Sequence, residues 1–94
     1  MEPVTLIIIT PEGEAARAGC DSVSFFTRDD SRGENGGSMG VRRGHMPAIA
    51  ALEPGSKVKA SSKGAPVLTA KVDGGFASVR NDVVTVVTGR AEII

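Results

Sequence analysis

The sequence predicts an all-β protein: a two-sheet antiparallel β-sandwich of short strands. Short apolar or alternating segments recur along the 94 residues, and turn-forming residues separate them about every 8–12 positions, as in sandwiches and barrels. The segment with the best helix propensity in the first half, residues 14–18, is too short to be a stable helix on its own. We therefore expect residues 14–18 to form an extended segment that crosses from one strand to the next. The length of the chain predicts a single domain over residues 1–94.

The first predicted strand, residues 4–9, is apolar on both faces and ends at the turn-forming sequence of residues 10–13. A strand of this kind is usually covered on both sides, as in a sandwich or at a subunit contact. The next segment alternates, so that Val23 and Phe25 should share one face. A charged, glycine-rich loop is expected over residues 28–37.

The second half of the chain continues the pattern of short strands and turns. Strands are predicted at residues 39–41, 47–52, 56–60, 67–72, 75–79 and 83–88. Residues 61–64 and 80–82 have the composition of turns. The strand at residues 83–88 is expected to be the last.

Composition excludes several classes of partner. Lysine and arginine balance aspartate and glutamate to a formal charge of +0, so nothing electrostatic points to nucleic acid or to a direct membrane contact. The aromatic residues are three Phe, from which a base-stacking platform is hard to build. The apolar run at residues 6–9 is too short to span a membrane, and the single cysteine, Cys20, cannot form an internal disulfide.

No catalytic, metal-binding or cofactor-binding constellation is visible. The residue after Gly44 is His45, whereas a phosphate-binding loop requires Lys there. The carboxylates Asp29, Asp30 and Glu34 lack the ligand spacing of a calcium loop. We therefore expect no cofactor, no bound metal and no enzymatic activity of the isolated chain.

Two glycine-containing blocks point to one family. Gly44-His45-Met46-Pro47 is followed, after a strand-rich gap, by Gly74-Gly75-Phe76. The pair resembles the N-terminal β-sandwich domain of the epsilon subunit of F-type ATP synthase. The turn at residues 10–13 and the strand at residues 84–86 fit the same family, so the resemblance covers nearly the whole chain.

The resemblance implies a function without catalysis. A protein of this family would be a central-stalk subunit of a proton-translocating ATP synthase, linking the gamma subunit to the c-ring during rotary ATP synthesis. It would sit at the cytoplasmic face of the bacterial cell membrane and meet the membrane only through the complex. The expected c-ring residues are Ser38 and Met39, and the expected gamma-binding residues are Arg42, Arg43, His45 and Met46.

The sequence also departs from the family pattern. Arg42 and Arg43 replace the usual Leu-Pro, and Ser38 stands where family members often carry Glu. The chain ends at Ile94, about where the helical hairpin of the family would begin, so we expect the domain at residues 1–94 to lack that hairpin, whether or not the natural protein continues.

The segment around residues 39–52 is more apolar than a free loop. A small sandwich can bury only some of its large apolar side chains, and an apolar patch left at one end of the sandwich would mark a docking surface. Those side chains are Met39, Val41, Met46, Ile49 and Leu52. A free-standing β-sandwich module that binds a peptide or small ligand is the alternative function, and a small hydrolase is disfavoured.

Overall fold

The computed structural model describes residues 3–27, 38–44 and 47–94. These residues form ten strands: β1 (Val4–Thr10), β2 (Gly13–Cys20), β3 (Ser22–Phe26), β4 (Ser38–Arg42), β5 (Ala48–Ala51), β6 (Pro54–Ser62), β7 (Ala65–Asp73), β8 (Phe76–Arg80), β9 (Val83–Val87) and β10 (Ala91–Ile93). The predicted loop at residues 28–37 lies outside the described residues.

The strands build two five-stranded sheets, which confirms the predicted sandwich. The first sheet has the order β2-β1-β9-β8-β5, and the second has the order β10-β7-β6-β3-β4. One pair departs from the predicted antiparallel arrangement, because β1 and β9 run parallel, with Leu6 opposite Val84 and Ile8 opposite Val86. Apolar alternation fixes which face of a strand is buried but does not fix the direction of its neighbour.

The core lies between the two sheets. Its largest fully buried side chains are Phe25, Leu6, Ile8, Leu52, Val4, Val23, Val41, Val58, Val72, Val79, Val84 and Val86. The predicted common face of Val23 and Phe25 is confirmed. Each buried Val, Leu, Ile or Phe contributes roughly 1.5–3 kcal/mol relative to an exposed one, so these twelve side chains supply most of the driving force for folding.

Two edge strands were not predicted. Residues 14–18 are extended as expected, but they belong to β2, which pairs with β1 along its length. The register shifts between Ile8 and Ile9, because Ile8 lies opposite Ala16 and Ile9 opposite Glu14, so Ala15 forms a bulge. At the other end of the chain, β10 pairs with β7 beyond the predicted last strand. Backbone pairing with a neighbour overrides low strand propensity at such edges.

Two tight hairpins match the predicted turns. Lys63 and Gly64 connect β6 to β7 with φ of 54° and 79°, and Asn81 and Asp82 connect β8 to β9 with φ of 51° and 61°. Positive φ at both central residues is the geometry of a type I′ turn, whose twist matches that of the flanking strands. Both hairpins bring their turns to the end of the sandwich where β4 finishes.

Candidate functional site

The outer face of the first sheet carries a group of apolar side chains, with the polar residues Ser78 and Thr85 among them. On β1, Ile7 and Ile9 alternate with the buried side chains and therefore point outward. On β9, the last residue, Val87, also points outward. Val87 lies directly between Ile9 on β1 and Phe76 on β8, and Ile49 extends the surface on β5. We call these five apolar residues the apolar face.

The exposure of this face is unusual for a small soluble domain. Ile49 is 76% exposed, Phe76 58% and Val87 50%. Single exposed apolar side chains are common, but a contiguous group on one sheet face marks a surface that binds another protein. The face is therefore the strongest docking candidate among the described residues.

Charged groups border the apolar face. At the β2 edge, Arg17 donates to Glu14 through Nη2 at 2.7 Å and Nε at 3.1 Å. The bulge at Ala15 makes this pair possible, because it returns Glu14 and Arg17 to the same face of the strand. The hydrogen bond to Glu14 and the charge of its carboxylate raise the pKa of Arg17 above its ordinary value. Arg80 is exposed on the β8 side.

The predicted gamma-binding arginines lie at the end of β4. Arg42 is the last residue of that strand, opposite Ser22, and Arg43 is exposed in the turn that follows. The backbone N–H of Gly44 donates to Oδ1 of Asp82 at 2.7 Å. Because Asp82 belongs to the β8–β9 turn, the arginines lie next to the first sheet, at the end of β8 and β9 opposite to Phe76 and Val87.

The remaining predicted site residues are divided between described and undescribed parts of the chain. Ser38 and Met39 begin β4, opposite Phe26 and Phe25. They thus lie at the other end of the strand from Arg42. His45 and Met46 lie outside the described residues.

The large apolar side chains in residues 39–52 are divided between the core and the surface. Val41 and Leu52 have 0% exposure and belong to the core, because β4 and the crossing after β5 turn them inward. Ile49 is exposed as expected, but the apolar side chains near it belong to other strands of the first sheet and not to residues 39–52. The signal that could have located this face was the two-sided apolar character of residues 4–9.

The described residues form no candidate metal site, since no three histidine, cysteine, aspartate or glutamate side chains come together among them. A surface hollow at the β6–β7–β10 edge is lined by Lys71, Asp73, Arg90 and Glu92 together with Gly55 and Val72. Its mixed charges favour no single class of ligand. Within residues 3–27, 38–44 and 47–94, no helix is long and apolar enough to cross a membrane.

Known families provide an independent comparison. The family model for the β-sandwich domain of the ATP synthase delta/epsilon chain matches residues 3–94. The chain belongs to this family. The resemblance noted from the Gly-His-x-Pro and Gly-Gly-Phe blocks is thereby confirmed.

Two relatives illustrate the range of lengths in the family. An ATP synthase epsilon chain of Frankia casuarinae is 33% identical over 91 residues, which are 97% of this chain and 98% of that protein. An ATP synthase epsilon chain of Bacillus pumilus is 36% identical over 92 residues, which are 98% of this chain and 63% of that protein. The chain thus spans nearly all of one relative and less than two thirds of the other.

Solved structures show the same fold. A chain of the Euglena gracilis mitochondrial ATP synthase, in an assembly of OSCP, F1 and c-ring, has a TM-score of 0.72 at 23% identity, covering 96% of this chain and 52% of that chain. A chain of the Tetrahymena thermophila mitochondrial ATP synthase, from its central stalk and c-ring, has a TM-score of 0.68 at 14% identity, covering 97% and 66%. At these identities the likeness concerns the fold.

Proposed function

We propose that this protein is a non-catalytic central-stalk subunit of an F-type ATP synthase that links the gamma subunit to the c-ring. Its membership of the delta/epsilon β-sandwich family and the epsilon-chain relatives support this function. The observation on the molecule that carries it is the apolar face, which a free-standing domain would leave in water. As part of the stalk the protein is a peripheral component of a membrane complex, at its cytoplasmic face.

The apolar face is the proposed gamma-docking surface. Phe76 and Val87 form its apolar centre, Ile49 extends it on the edge strand β5, and charged side chains border it, which is the usual anatomy of a protein interface. Arg42 and Arg43 lie beside the Asp82 turn, at the opposite end of the first sheet from Phe76 and Val87. There they can pair with acidic groups of a partner that spans the sheet, because arginine favours bidentate carboxylate contacts. His45 and Met46 follow in sequence and complete the proposed gamma-binding segment.

The c-ring contact is proposed at Ser38 and Met39. They begin β4, and Arg42 ends it, so they are separated from this arginine by one five-residue strand of roughly 13 Å. A strand held in a packed sheet keeps this spacing fixed. The protein then transmits torque mechanically, and neither bound cofactor nor catalysis is required of it.

Val87 and Val67 provide a matched test of the docking surface. Val87 on the apolar face is 50% exposed and Val67, on β7 of the other sheet, is 49% exposed. Val87→Asp should weaken binding to the cognate gamma subunit by about tenfold or more, because it places a charge in the apolar centre of the interface. Val67→Asp should leave the affinity within about twofold.

The affinities are measured by calorimetry, with thermal unfolding of both variants as the control for folding. Equal affinities for Val87→Asp, Val67→Asp and the unchanged protein would contradict docking through the apolar face. Failure of the unchanged protein to bind gamma at all would favour the free-standing binding module.

A further inference from the structure

Asp82 occupies a position that suits glycine better. It is the second central residue of the β8–β9 turn, with φ of 61°, and Asn81 before it has φ of 51°. Residues other than glycine pay a conformational cost in this left-handed region. The hydrogen bond that the Asp82 side chain accepts from Gly44 helps to offset that cost.

The contacts of Asp82 join three parts of the chain. Its Oδ1 accepts from the backbone N–H of Gly44 at 2.7 Å, across 38 positions of sequence. Its carbonyl oxygen accepts from the N–H of Thr5 at 3.0 Å, at the start of β1. Gly44 is itself in the left-handed region, with φ of 83°. The carboxylate of a first-sheet turn therefore holds the turn that follows β4 of the second sheet.

We propose that Asp82 is the positioning residue that fixes the Arg42-Arg43-Gly44 turn in the orientation that binds gamma. This inference rests on the proposed function and adds to it a residue that does not itself touch the partner. A hydrogen bond between a charged acceptor and a backbone N–H is stronger than a neutral one. A turn held in one conformation before binding loses less conformational entropy when it binds, so its arginines bind more tightly.

A second aspartate at the same end of the sandwich also holds a turn through a hydrogen bond from a backbone N–H. Oδ2 of Asp21, at the β2–β3 corner, accepts from the backbone N–H of Lys63 at 2.7 Å. That contact holds the β6–β7 hairpin, whose Gly64 lines a surface hollow together with Arg42. The two carboxylates thus fix the turns on both sides of Arg42.

Three substitutions in the β8–β9 turn separate the effect of the hydrogen bond between Gly44 and Asp82 from the effect of the left-handed backbone. Asp82→Gly removes the carboxylate and suits the left-handed backbone, so the domain should still fold. Asn81→Gly makes the same change to glycine one residue earlier in the turn and keeps the carboxylate of Asp82. Asp82→Asn removes the same negative charge as Asp82→Gly but retains a side-chain oxygen that can accept from Gly44.

Two readouts on the full chain test the proposal: amide hydrogen exchange at Gly44 by NMR, and affinity for the cognate gamma subunit. In Asp82→Gly, exchange at Gly44 should be about tenfold faster or more, and the gamma affinity should fall by about tenfold. Asn81→Gly should retain slow exchange at Gly44 and an affinity within about threefold of the unchanged protein. Asp82→Asn, whose neutral oxygen accepts a weaker hydrogen bond, should lie between Asn81→Gly and Asp82→Gly in both readouts.

Each contrary result identifies a different error. Unchanged exchange at Gly44 in Asp82→Gly overturns the positioning contact itself, whatever the protein does. Faster exchange with unchanged gamma affinity overturns the positioning role. If Arg42→Glu with Arg43→Glu is then also without effect on affinity, the error lies in the proposed docking function, and if that variant binds weakly, the error lies with Asp82 alone.

Discussion

Gly75 offers a sharp test of how the sandwich is packed. Its φ is 100°, and a Cβ at this position would collide with the carbonyl oxygen of Val87 and lie 2.9 Å from Cα of Thr88. Its own carbonyl accepts from the N–H of Leu52 at 2.9 Å, where the chain crosses between the sheets. A displaced Gly75 would therefore disturb both β9 and the crossing. Gly13 is the matched control, with φ of 117° and open space around a Cβ.

Comparing the two glycines separates the cost of a strained backbone from the cost of a steric collision. Alanine at either position is held in a sparsely populated backbone region, at a cost of about 1–3 kcal/mol. At Gly75 the added methyl group also meets backbone atoms that have no room to move, and overpacking of this kind costs about 1–3 kcal/mol more. We therefore expect Gly75→Ala to lose about 2–6 kcal/mol of unfolding free energy, out of a typical total of about 5–15 kcal/mol.

Urea unfolding of Gly75→Ala and Gly13→Ala, followed by circular dichroism, measures both losses. Gly75→Ala should be the less stable variant by about 1 kcal/mol or more, or should fail to fold. If Gly75→Ala is as stable as Gly13→Ala, the close approach between Gly75 and the end of β9 is refuted.

The remaining predictions concern charges and nucleotides. Arg42→Glu with Arg43→Glu should change the unfolding free energy by less than about 0.5 kcal/mol but weaken gamma binding by roughly 2 kcal/mol or more; unchanged affinity with an unchanged melting point would put the docking face elsewhere. Glu14→Gln should leave the melting point unchanged within error, because solvent screens the exposed pair with Arg17, and a clear drop would mean that the pair stabilises the β2 edge. The purified chain should neither hydrolyse ATP nor bind it at micromolar affinity in calorimetry, since the sequence lacks a phosphate-binding loop; binding at that affinity would contradict this expectation.

Much of the fold could be predicted because it depends on local chemistry. Strict alternation put Val23 and Phe25 on the buried face, and the turn residues at 61–64 and 80–82 marked both tight hairpins. The β2 strand was missed because Gly, Ala and Glu have low strand propensity and are extended there through pairing with β1. The parallel β1–β9 pair joins the two ends of the chain, and no local pattern specifies such a partner.

The candidate site was harder to predict because exposure is a property of the assembled sheet. Val41, Ile49 and Leu52 are similar in sequence character, yet only Ile49 points outward. Phe76 and Val87 are about 30 positions or more from any of the predicted gamma-binding residues, and only the β8–β9 and β1–β9 pairings bring them together with Ile9. The contact between Gly44 and Asp82 likewise arises from tertiary structure.

The function proposed for this chain is to hold the gamma subunit. The most direct measurement mixes the purified chain with the cognate gamma subunit and determines the mass of the product by light scattering. A stable one-to-one complex that Val87→Asp weakens and Val67→Asp does not is the expected result. No complex at micromolar concentrations of both proteins would contradict this function.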